Sequence, residues 1–84
     1  MNRYDMCALL CRCIELTELG EETTFHYLPN LNQVCINHYF GKVSDQTRHE
    51  AILVEDENIW LTIMQLDRRI FLLKGVKHGK RDEK

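Results

Sequence analysis

The amino-acid sequence predicts an α+β fold, a two-layer α-β-β-β-α chain in which a three-stranded antiparallel meander carries two helices on one face. Three observations lead there. Apolar residues recur at helical spacing near both ends, over residues 3–19 and 58–75. Between them the apolar period falls from 3.6 to 2 over three short runs. The joints carry residues that turn a chain: Gly20, the Pro29-Asn30-Leu31-Asn32 loop and Gly41. A meander of this size needs one face covered, and two amphipathic helices lying across that face supply the cover.

The first helix, RYDMCALLCRCIELTEL, sets Met6, Leu10, Cys13 and Ile14 on one side. Cys7, Leu9 and Leu16 widen that side, and Asp5, Arg12 and Glu15 stay opposite. TTFHYL and QVCINHYF then read as a hairpin, with Val34, Ile36, His38 and Phe40 alternating with Cys35, Asn37 and Tyr39. KVSDQTRH is a polar connection. The third strand, residues 49–55, has Ala51 and Leu53 on one face and Ile52 and Val54 on the other, which predicts that it is more buried than its neighbours.

The stretch from Asn58 to Gly75 is the second helix. Ile59, Ile63, Leu66, Ile70 and Leu73 recur at i, i+4, i+7, i+11 and i+14 and stack in one stripe. Beside it Trp60, Met64 and Phe71 form a second apolar row, so this helix is expected to touch two surfaces. Two strands, IWLTIM and RIFLL, compete for the same residues on β propensity. The intervening Gln65-Leu66-Asp67-Arg68 lacks glycine and any pair suited to positive φ, so a tight hairpin is disfavoured. Asp56 or Asn58 can cap the helix start, the acids at 55–57 suit its positive end, and Lys74-Gly75 closes it. Residues 1–75 thus make a single domain, and 76–84 a basic, mobile tail.

At 84 residues, 44% hydrophobic and 29% charged, the chain has the composition of one small folded domain and not of a disordered segment. Its charge is polarised. Residues 1–57 carry four basic and ten acidic side chains, and 58–84 carry seven basic and three acidic. The N-terminal residues do not read as a secretory signal and no stretch is long and apolar enough for a membrane span, so the expected location is the cytoplasm. In that reducing compartment Cys7, Cys11, Cys13 and Cys35 are expected as thiols.

Cys7 and Cys11 stand one helical turn apart and can offer two thiolates to one ion, with His26, Cys35 or His38 completing a tetrahedral site. Structural zinc motifs use a tight C-x-x-C knuckle, whereas here C-x-x-x-C-x-C lies on an apolar helix, so no metal and no cofactor is expected. Catalysis is not expected either. The cysteines sit among leucines, an isoleucine and glutamates, and no Gly-rich phosphate loop, H-E-x-x-H or G-x-S-x-G occurs. His38 reads as a strand-rim residue with a hydrogen-bonded ring.

The element order is also that of the double-stranded RNA binding domain, which holds phosphates with a lysine-rich loop and the start of its second helix. Here that place reads VEDEN, three acids that would repel phosphate, so nucleic acid is not the expected partner. TFHYLPNLNQVCINHYFGK, followed by EDEN and an apolar helix, resembles small uncharacterised proteins carried by phages and mobile elements of Gram-positive bacteria, over residues 23–75. Those proteins usually close the second strand with tryptophan, where this chain has Phe40-Gly41. The resemblance implies a short accessory protein acting on a host or phage partner.

The expected function is therefore protein–protein interaction, with self or a host protein and not with a membrane. A homodimer through the second helix is the first expectation, with Trp60, Met64, Phe71 and Arg68 as binding residues. If the first helix covers that row, no such surface remains. The alternatives are an inhibitor of a host nuclease or defence complex, of the anti-CRISPR kind, working through the acidic surface of residues 15–57, and a zinc-binding module.

Overall fold

The structure is a computed structural model that describes residues 1–41 and 48–82, with side chains described as far as residue 75. The elements follow the predicted order: helix α1 (Arg3–Glu18), strand β1 (Thr23–Leu28), a 3-10 turn (Pro29–Leu31), strand β2 (Gln33–Phe40), strand β3 (Arg48–Val54) and helix α2 (Ile59–Asp82). The strands form one antiparallel sheet of order β1-β2-β3. The polar connection at 42–47 lies outside the described residues.

Local chemistry explains the joints. The Asn2 side chain accepts the Asp5 N–H at 2.8 Å and caps the otherwise unpaired amides that begin α1. Gly20, at φ 104°, ends α1 in a left-handed turn, with Glu21 N–H donating to Leu16 carbonyl at 2.9 Å and Gly20 N–H to Thr17 carbonyl at 3.1 Å. At the hairpin, Asn32 takes φ 51°, a conformation asparagine tolerates better than most side chains. Asn58 precedes α2, but its side chain does not cap the helix amides. It accepts Glu55 N–H at 2.7 Å and donates to Leu53 carbonyl at 3.0 Å, which locks the short turn from β3 into α2.

The core lies between the sheet and both helices. Leu9, Cys13 and Leu16 from α1 meet Val34 and Ile36 of β2, Val54 of β3, and Ile59, Ile63, Leu66 and Ile70 of α2. The α2 stripe thus packs as its spacing predicts, with Leu73 partly buried at its end. The two helices lie side by side and run parallel, since Arg12 pairs with Asp67 at 2.9 Å and Glu15 with Lys74 three residues further along α1. Thr17 of α1 accepts the Thr23 N–H at 3.0 Å and ties α1 to β1.

Four expectations are corrected. On α1 the buried positions are Leu9, Cys13 and Leu16, while Leu10 and Ile14 face solvent, because apolar residues stand on both sides of this helix and only one side meets the sheet. Strand β3 is an edge strand and the least buried of the three: Ala51 and Leu53 lie on the sheet face that no helix covers. His38 is buried, not at a rim. Helix α2 does not close at Lys74-Gly75 but continues to Asp82, so Gly75 is an interior helical residue without positive φ. The side chains of the expected mobile tail, 76–84, lie outside those described.

Candidate functional site

The α2 helix carries apolar side chains on every side, and the sheet takes only one of them. Ile63 and Ile70 turn toward the sheet. Trp60, Met64 and Phe71 turn away from it and remain 66%, 66% and 76% exposed. They stand seven before, three before and four after Asp67, the residue that meets α1, which places them on the outward side of the seam between the helices. Leu61 and Leu72 extend the exposed face away from α1, and Arg68 lies within it. The first helix therefore does not cover the row. It adds to it, since Tyr4, Leu10 and Ile14 of α1 are exposed on the outer face of the same helix layer.

A groove of about 240 Å³ runs along the other flank of α2, between that helix and strands β2 and β3. Phe40, Ile52, Leu66 and Leu72 supply its apolar walls, and Arg68 stands on both this groove and the exposed row.

At the end of the groove a charged cluster is buried. Glu21 and His38 are each 3% exposed, with His38 Nε2 2.8 Å from Glu21 Oε1. Arg69 grips the same carboxylate with two bonds, Nε at 2.9 Å and Nη2 at 2.5 Å, and Gly41 N–H donates at 2.9 Å. Burial pushes the Glu21 carboxyl up, but the Arg69 bonds, the Gly41 amide and His38 together outweigh it and hold the group at about 2. Phe40 lies beneath the guanidinium groups of Arg48 and Arg69, at 4.4 and 5.1 Å from its ring centre. Each acceptor position of Glu21 is filled by a donor of the fold. The cluster is built as a clamp joining the turn after α1, the end of β2 and the middle of α2, and it presents no unengaged carboxylate to a substrate.

The four-ligand site weighed for the cysteines does not assemble within one chain. Cys7 and Cys11 are exposed on α1, Cys35 and His26 lie on the opposite face of the sheet, and His38 is held by Glu21. Among the described residues no three of His, Cys, Asp and Glu stand close enough to share an ion.

No family model, curated protein or solved structure matches the chain.

The described acids of residues 15–57 are spread over several elements, and five of them, Glu15, Glu21, Glu50, Glu55 and Asp56, are engaged within the fold. Glu15 pairs with Lys74, Glu50 with Arg48, and Asp56 with the N-terminal amine, while Gln33 donates to Glu55 at 2.9 Å. No described helix is long and apolar enough to cross a membrane. The Glu21 cluster had no signal in the sequence: Gly20-Glu21-Glu22 reads as a turn, and Arg69 lies 48 residues away. The exposed row was signalled by its spacing.

Proposed function

We propose that the chain is a non-enzymatic interaction protein that pairs with a second copy of itself through the outer face of its helix layer, centred on Trp60, Met64 and Phe71. The observation that carries this is the exposure of those three large side chains on an 84-residue domain whose other α2 stripe already fills its core. With Leu61, Leu72 and the exposed apolar residues of α1, each presenting on the order of 100 Å², the face reaches roughly 800 Å². That is one partner's share of a standard interface and more than the few hundred Å² a typical monomer leaves uncovered. Trp60 and Phe71 are the anchor residues of this surface, because aromatic side chains dominate the energy of such contacts. Arg68 supplies a cationic side chain beside the α2 row and sets the register of the pair by meeting acidic or carbonyl groups across it.

Self-pairing is preferred over inhibition of a host nuclease because the described acids are distributed over several elements and five of them are engaged within the fold, whereas Trp60, Met64 and Phe71 share one exposed row on α2. Light scattering on the full chain tests the proposal. The parent is expected at twice the chain mass, and Trp60→Ala with Phe71→Ala at the mass of one chain. A single-chain mass for both proteins defeats it.

A further inference from the structure

The four cysteines do not behave alike. Cys13 is a core residue whose thiol burial pushes up to about 11, and Cys35 is half-buried beyond the sheet. Cysteine of this kind acts as a small hydrophobe. Cys7 and Cys11 are instead exposed, although cysteine is among the residue types most often buried. Both stand on the outer face of α1, one turn apart, with exposed Leu10 and Ile14 beside them.

Resting on the self-pairing reading above, we infer that two paired copies share one thiophilic divalent metal ion of the zinc class, held by Cys7 and Cys11 of each copy. The geometry of one helix supplies half of such a site. Side chains at i and i+4 start about 5–6 Å apart at Cβ, close enough for two sulfurs to reach a single ion at about 2.3 Å. Zinc in a structural site takes four ligands in a tetrahedron, so two positions stay open. Among the described residues no third ligand joins Cys7 and Cys11. A two-fold axis through the ion completes the set with the same two thiols, which is the symmetry a self-complementary interface has. Closure of the apolar face then shields the site from water. Binding releases the thiol protons to solvent, so the metal-dependent part of pairing weakens as pH falls.

The test uses the full chain, reduced and stripped of metal, titrated with zinc chloride alone while mass is followed by light scattering and bound zinc is counted after gel filtration. About one zinc per two chains is expected, with the dimer dissociation constant lowered by at least about tenfold. Cys7→Ser with Cys11→Ser removes both the zinc and the tightening, and Cys35→Ser keeps both. Circular dichroism of the serine variants checks that the fold is retained. No bound zinc, one zinc per chain, zinc retained by the Cys7/Cys11 variant, or a dimer that reductant abolishes each overturns the inference. A zinc-free dimer that Trp60→Ala with Phe71→Ala dissociates leaves self-pairing standing without the metal, so the two ideas fail separately.

Discussion

At Glu21 an almost fully enclosed carboxylate keeps its charge because four donor groups converge on it, from Arg69, His38 and the Gly41 amide. An unfolded glutamate titrates near 4.5 and this one at about 2, so the unfolded chain takes up the proton first. The stability contributed by the cluster is therefore complete above pH 4.5 and is lost as pH falls toward 2. It amounts to about 3 kcal/mol for a shift of this size. Urea denaturation at a series of pH values is expected to show a steeper acid loss for the parent than for Glu21→Gln, with the two curves converging at low pH. Removing the cation is the harsher change. Arg69→Met leaves a buried carboxylate with fewer donors and is expected to cost about 3–5 kcal/mol at neutral pH. None of this was legible along the chain, since the value of Glu21 depends on a partner brought to it by the folded sheet and helix.

Gly20, just past α1, and Gly75, inside α2, separate local demand from mere tolerance. Gly20 has φ 104° with open space around an added Cβ, so Gly20→Ala suffers only the backbone penalty, expected near 1 kcal/mol by thermal or urea melts. Gly75 sits inside α2 with ordinary helical φ and nothing within 4 Å of an added Cβ. Gly75→Ala is therefore expected to stabilise by roughly 0.5–1 kcal/mol and to raise the helical signal in circular dichroism. A destabilised Gly75→Ala would place the helix end where the Lys74-Gly75 pair suggested. The strands repeat the lesson. β2 shows its buried side in its alternation, because a strand with one apolar face has only one way to lie on a core. β3 has apolar residues on both faces, and that pattern fits a central strand and a half-covered edge equally well until the neighbours are known.

For the molecule as a whole, the helix layer carries large apolar side chains on both of its surfaces. One surface lies on the sheet and the other is the proposed interface. If two copies bind through it, the native dimer is stabilised by mass action and the melting temperature of the parent is expected to rise with protein concentration. The Trp60→Ala, Phe71→Ala variant should melt at a temperature independent of concentration, and calorimetry over a wide concentration range distinguishes the two. The order of elements, their bounds to within a residue or two at most ends, and the α2 core stripe were set by the sequence alone, because periodicity, caps and turn residues are local properties. Tertiary structure decided which of two apolar faces of α1 and β3 is buried, joined Glu21 to Arg69, and left Trp60, Met64 and Phe71 outside. The physical reason is that one open sheet offers a single covered face. Where a helix has more apolar surface than that face can accept, the choice among its sides belongs to the whole packing and not to any stretch of the chain.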